Sequence, residues 1–266
     1  MTIYNSRTNK HREKEIQSFC IIRELRSFLY VLILAMLVRS FLLEIVCVPT
    51  GSMKFTILEQ DYLLVTKYSY GASRYSLPFN IKLWNGKVHL PFISSDTPQR
   101  GEVVVFQPHH KASDKYIKRL IGLPGDKVQI IDDVIYINDV AIERQTDGVI
   151  NDDSGKVYNK YRETLPNGFS HFAYYAQDVS ASVSNWGPEY VPQDSYFFMG
   201  DNRYESNDSR LDVGFVPSDH LVAKARFIIF SSTGRLFAEQ AQWQDYFYNT
   251  IRWFRELRWN RIGDDV

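Results

Sequence analysis

The chain has 266 residues, enough for a full-sized core in one or two domains. Lysine plus arginine number 31 and aspartate plus glutamate 31, so no net field marks a nucleic-acid binder or an enzyme of strongly acidic substrates. Aromatic residues make up 15%, a weighting that suits half-buried strands.

Near the N-terminus, residues 28–38 read FLYVLILAMLV without a polar break. This run of eleven is too short for a hydrocarbon layer about 30 Å thick. Counting from Ile21 to Val46 supplies the length. Arg23, Glu24 and Arg26 then lie at one end, Arg39 and Glu44 at the other, and long arginines can reach the interface. The pattern predicts one transmembrane helix over residues 24–43. A cleaved leader has a similar apolar core, but no A-x-A-like site follows it at a suitable distance. A buried core helix needs less continuous apolarity. Residues 1–23 carry Arg7, Lys10, Arg12, Lys14 and Arg23, and Arg26 follows, so this end is expected in the cytoplasm and the rest outside. Cys20 and Cys47 then fall on opposite sides and cannot pair.

From Val46 onward, short β-type runs alternate with turn signals. DYLLVTKYSYG, GEVVVFQP, KVQIIDDVIYINDVAI, SYFFMGDN and HLVAKARFIIFSS are expected strands or hairpins. No long amphipathic helix separates them, which predicts an all-β domain over 44–241 rather than βαβ units. Residues 72–98 and about 143–190 are polar and turn-rich. They read as long loops or as a small β subdomain inserted in the core. Residues 242–266 differ, because QWQDYFYNTIRWFRELRWNRI mixes aromatics with four arginines. An amphipathic segment of this kind fits a membrane surface or a packed helix equally.

Three segments carry chemistry. In VPTGSM, residues 48–53, Gly51 before Ser52 lets the chain turn tightly and aim a hydroxyl and an N–H at one point. Acyl transfer needs that pairing of nucleophile and oxyanion donor, although Gly-Ser pairs are also common in plain turns. No histidine sits in a triad signature, and neither G-x-S-x-G nor Ser-x-x-Lys occurs. His109-His110 lacks a second ligand pair at metal spacing, so no metal is expected. Lysine can serve as base if burial keeps its amine neutral. In YIKRLIGLPGD, residues 116–126, a strand puts Tyr116, Lys118 and Leu120 on one face, with Ile117, Arg119 and Ile121 on the other. Arg119 then points away, solvated or paired. In GDNRYESNDSR, residues 200–210, alternating Asp201, Arg203, Asp208 and Arg210 favour a local ion-pair lattice, able to hold a rigid loop that aims Ser206. A polar surface turn is the plainer alternative.

Together with RGEVVVF (100–106), these blocks, in this order behind one apolar helix, resemble the bacterial type I signal peptidases over most of residues 25–235. The resemblance implies a mainly β fold: a β-rich catalytic core with a smaller inserted β subdomain, about 127–195, behind one N-terminal transmembrane helix. It implies an endopeptidase of the bacterial plasma membrane that cuts signal peptides from exported preproteins on the outer, periplasmic side, without a cofactor. Ser52 aligns with the nucleophile and Lys118 with its general base. The Ser52 N–H and the Thr50 hydroxyl match the oxyanion donors, and Ser206 the hydroxyl that orients the lysine. Asp208 and Arg210, with Asp201 and Arg203, match supporting charges. Val46, Val48, Met53, Ile57, Tyr116 and Ile117 fall near positions that shape shallow pockets for small residues. This chain departs from the pattern at Phe55, where the family usually has proline, and at Tyr204 and Glu205.

Overall fold

The computed structural model describes residues 21–39, 42–70, 96–109, 114–179, 183–234 and 243–266. The segment 1–20, with Cys20, and nearly all of the polar stretch 72–98 lie outside these. Residues 21–39 are helical (α1), and its large apolar side chains, Phe28 and Val31 among them, are exposed. Its first turns hold Arg23, Glu24 and Arg26. No helix among the described residues is long and apolar enough to cross a membrane.

The body is β-sheet. The largest sheet has seven strands: β1 (Leu43–Cys47), β2 (Asp61–Thr66), β3 (Val103–Phe106), β4 (Tyr116–Gly122), β12 (Ser195–Met199), β13 (Val216–Pro217) and β14 (Leu221–Ser231). Their order is β1-β2-β14-β3-β4-β12-β13, with antiparallel pairing throughout. The middle strands are buried on both faces, which is why GEVVVF reads as a continuous apolar run. Val103 and Val105 point into one cluster with Met53, Ile57, Leu63 and Ile117. Val104 and Phe106 point into the opposite cluster with Leu120 and Phe198.

Two smaller sheets come from the chain between β4 and β12. One has the order β11-β5-β6-β7, from β5 (Lys127–Ile131), β6 (Val134–Ile137), β7 (Val140–Ala141) and β11 (Trp186–Tyr190). Its tight turns at Asp132-Asp133 and Asn138-Asp139 place all four residues at positive φ, the conformation that two-residue hairpin loops demand and that Asp and Asn tolerate. The other sheet is β10-β9-β8, from β8 (Glu143–Asn151), β9 (Val157–Thr164) and β10 (Ser170–Ala176). Within the polar stretch of about 143–190, β8, β9, β10 and β11 are strands joined by turns and loops. Helix α2 (Trp243–Arg255) packs on the large sheet through buried Trp253, whose ring meets Tyr62 at 5.8 Å and Phe230 at 5.7 Å.

Candidate active site

Three chain segments converge at one cleft of about 550 Å³. The first leaves β1 through Val48-Pro49-Thr50 and closes into a 3₁₀ turn at Gly51–Met53. The Lys54 N–H donates to the Gly51 carbonyl at 3.0 Å, and the Ile57 N–H to the Met53 carbonyl at 2.7 Å. This tight turn buries Met53 and leaves Ser52 at 8% exposure on the cleft wall. The second segment is β4, held in register by pairing of Lys118 with Val104. The strand brings the Lys118 amine within 2.6 Å of Ser52 Oγ, and the amine also donates to the Ile117 carbonyl at 3.1 Å.

Lys118 is only 4% exposed. Burial strips its ammonium of water and pulls its pKa from 10.5 down to about 8. Asp208 and Asp201 oppose this more weakly by attracting the cation, and Arg210 adds to it. The face of the Tyr116 ring lies 5.4 Å from the amine.

The third segment is the loop after β12. Gly200 begins it, and the Asn202 N–H donates to the Ser52 carbonyl at 3.1 Å. The Asn202 side-chain amide donates to the Gly51 carbonyl at 3.0 Å. Asn202 therefore grips the two carbonyls flanking the Ser52 N–H, a contact that sequence reasoning missed. Its position inside the GDNR block was the available signal.

The charges of this loop are arranged differently from the expected local lattice. Only Asp208 and Arg210 pair with each other, through bonds of 2.8 Å from Nε and from Nη2. Asp201 instead takes a two-bond contact from Arg119, at 2.8 and 2.6 Å. Arg119 is thus paired and buried rather than solvated. Arg203 reaches Glu163 on β9 at 2.9 and 2.5 Å, and the Tyr175 hydroxyl at 2.9 Å. Burial alone would raise the carboxyl pKa values of Asp201 and Asp208, but their arginine partners outweigh it and hold both low. Breaking any one of these buried pairs would strand a charge, so the lattice holds the loop rigid through long-range partners. Ser206 is buried beside this lattice, but its hydroxyl makes no well-formed hydrogen bond, and none joins it to Lys118.

Thr50 lines the cleft together with Val48, Met53, Tyr116 and Ile117. Ile57 lies beneath it in the core, and Val46 packs against that same cluster. Among the described residues no cluster of His, Cys, Asp and Glu could hold a metal ion. The His109 ring lies tilted at 45° against that of His220, with centroids 4.2 Å apart, while His110 lies outside the described residues.

Phe55, the residue in place of proline, has φ of 73°. Proline cannot take that value. Its ring packs on Tyr158 at 5.0 Å and Tyr174 at 4.7 Å, and neighbouring Lys54 pairs with Asp152 at 2.5 Å. These contacts hold the turn after Ser52 against β9, β10 and the loop before β9. Phe55→Pro is expected to lose about 3 kcal/mol, from the forbidden φ and two aromatic contacts. Thermal melting checks this, with Tm falling by roughly 5–10 °C.

Comparisons with known proteins point to one family. The family model described as signal peptidase, peptidase S26, matches residues 21–230. A signal peptidase I of Rickettsia bellii is 45% identical over 254 residues, which is 90% of this chain and 84% of that protein. Another, from Rickettsia prowazekii, is 50% identical over 217 residues, or 79% of this chain and 80% of that one. A solved signal peptidase I from Enterococcus faecalis is 28% identical, covers 49% of this chain and 98% of its own, and superposes with a TM-score of 0.30. A serine and a buried lysine in contact within a β-rich body, and a family match over most of its length, have one reading: the chain belongs to the peptidase S26 family of signal peptidases.

Proposed function

We propose that the chain removes N-terminal signal peptides from exported preproteins as a membrane-tethered serine endopeptidase with a Ser52–Lys118 dyad. One observation carries the reading: a buried lysine amine, its pKa drawn down to about 8, lies 2.6 Å from a serine hydroxyl in a cleft. At pH 7 about a tenth of such amines are neutral, enough to act as a general base.

In this mechanism neutral Lys118 takes the Ser52 proton as Oγ attacks the carbonyl at the end of the signal peptide. The oxyanion is held by the Ser52 N–H and the Thr50 hydroxyl, each worth roughly 3–4 kcal/mol in the transition state. The Lys118 ammonium then protonates the departing amine. Water, deprotonated by the same lysine, releases the acyl group. The pairs of Asp201, Arg203, Asp208 and Arg210 keep the third segment stiff. Val48, Met53, Tyr116 and Ile117 form shallow pockets that admit small side chains, with Val46 and the fully buried Ile57 packed behind them. Residues 127–195 act as an inserted subdomain that braces this core.

Residues 24–43 are read as a single-pass anchor in the plasma membrane, with residues 1–23 cytoplasmic and 44–241 outside. The bare apolar surface of α1 supports this, Phe28 being 67% and Val31 65% exposed. An anchor confines enzyme and preprotein to one surface.

Mass spectrometry of a model preprotein before and after incubation tests the activity. The rate adds a second check. Because the neutral amine is the base, kcat/KM should rise with pH and level off above an apparent pKa near 8, with about a tenfold loss per unit below it. A product cut at another site, or a profile without an inflection near 8, would sink the reading.

A further inference from the structure

The family match ends at residue 230, yet the chain continues into a tail that returns to the active-site side of the sheet. Only the first part of β14, Leu221 to Lys224, pairs with β3. Along its far half the tail takes the place of β3. The Ile228 N–H donates to the Asp264 carbonyl at 3.0 Å, the Gly263 N–H to the Ile228 carbonyl at 2.8 Å, and the Arg258 N–H to the Ser231 carbonyl at 2.8 Å. Val266 packs against the cluster that holds Val48, Met53 and Ile57.

Two tail arginines reach further. Arg258 Nη2 lies 3.0 Å from Asp61 Oδ1, and Arg261 Nη2 lies 2.8 Å from Asp61 Oδ2. Asp61 is wholly buried and also accepts the Leu58 N–H at 2.8 Å and the Ser231 hydroxyl at 2.5 Å. The same guanidinium groups donate to backbone carbonyls of the segment just after Ser52, Arg261 to Thr56 at 2.9 Å and Arg258 to Glu59 at 2.7 Å. Asp61 fastens the segment before Ser52 as well, because its carbonyl accepts the Val48 N–H at 2.9 Å. Both ends of the Ser52 turn are therefore tied to one buried residue, the leading end through the Asp61 backbone carbonyl and the trailing end through its carboxylate, and that carboxylate is neutralised from the tail.

We propose that Arg258 and Arg261 are positioning residues. With Asp61 they form a clamp that fixes the loop carrying Ser52, which makes the C-terminal tail part of the catalytic apparatus. The clamp touches neither substrate nor the reacting atoms. It sets where Oγ stands relative to the Lys118 amine, so it rests on the assignment of Ser52 as nucleophile. The tail also explains why an arginine-rich segment follows a complete peptidase domain: its charge at 258 and 261 faces inward to a carboxylate, while Arg252 stays outside, paired with Glu256 on the surface.

The test uses full-length Arg258→Ala, Arg261→Ala and double variants, with Arg252→Ala and Ser52→Ala as controls. Each is assayed at the same interval below its own Tm, against a model preprotein and against an acylating reagent that labels Ser52. A small displacement of reacting groups lowers turnover by up to about 10²-fold. The clamp variants should lose kcat in that range with KM unchanged, and label Ser52 more slowly in proportion. Arg252→Ala should match wild type, and Arg261→Lys, which keeps a cation for Asp61, should recover part of the rate. Should the double variant not fold, Arg261→Lys against Arg261→Met carries the same comparison. Wild-type kcat in folded clamp variants, or full recovery once the distance from Tm is equalised, overturns the clamp. An active Ser52→Ala enzyme would instead overturn the nucleophile assignment.

Discussion

Lys118→Met should abolish cleavage and at the same time raise the melting temperature at pH 7. The loss follows from removing the amine 2.6 Å from Ser52 Oγ, and is expected to reach about 10⁴-fold in kcat/KM. The gain follows from the same burial that makes the lysine useful. Its pKa is 10.5 when solvated and about 8 in the fold. Below pH 8 both states carry the proton, so folding must bury an ammonium at a cost of roughly 3 kcal/mol. Between 8 and 10.5 the folded state releases its proton first, and the cost fades. Methionine fills similar space with no charge. Allowing about 1 kcal/mol for the lost hydrogen bond, the variant should gain roughly 2 kcal/mol, or about 5 °C in Tm. Melting curves at pH 7 and near pH 10 separate the effects, since the advantage should shrink at the higher pH. Ser52→Ala should match the loss of activity without the gain in Tm. A Met variant that cleaves at wild-type rate removes the base assignment. One that melts lower at pH 7 shows that burial of the cation costs nothing.

Much of this was legible in the chain itself. The mainly β body follows from VVVF, VQII and FIIF, whose apolar and β-branched density favours strands. The order of the PTGSM, YIKRLIG and GDNRYESNDSR blocks identified the family. Sequence could not say which charges pair. Arg119 and Asp201 are 82 residues apart, and Arg203 and Glu163 are 40 apart, so their meeting depends on which strands become neighbours. Short-range alternation of sign suggested a lattice within the 200–210 loop, and only Asp208–Arg210 follows it. The left-handed backbone at Phe55 was equally hidden. A missing proline says that φ is no longer fixed, not that an aromatic cage will hold it at 73°. The tail arginines fitted a membrane surface and a packed helix equally because composition cannot distinguish a cation that faces lipid or solvent from one that faces a buried Asp61.

Gly200→Ala should inactivate the enzyme while leaving it folded. Gly200 is not in the left-handed region, so the demand for glycine here is one of space. A β-carbon at this position would come within 2.5 Å of the Ser52 carbonyl oxygen and 2.6 Å of Ser206 Cβ, and closer still to the Ser206 hydroxyl. Neither neighbour can yield cheaply. The Ser52 carbonyl is held by the Asn202 N–H at 3.1 Å, and moving it moves the nucleophile turn. Ser206 is buried, and the Gly200 N–H is itself bonded to Asp208 at 3.0 Å. One methyl group therefore wedges the third segment away from the first. Overpacking of this kind costs about 1–3 kcal/mol in stability, which a domain of this size survives. The displacement of Ser52 from Lys118 costs far more in rate, on the order of 10²-fold or greater in kcat. Circular dichroism should stay close to wild type, Tm should fall by no more than about 10 °C, and the acylation rate of Ser52 should collapse. Wild-type acylation in a folded Gly200→Ala protein would mean that the loop after β12 can retreat freely. The stiffness attributed to its buried ion pairs would then be absent.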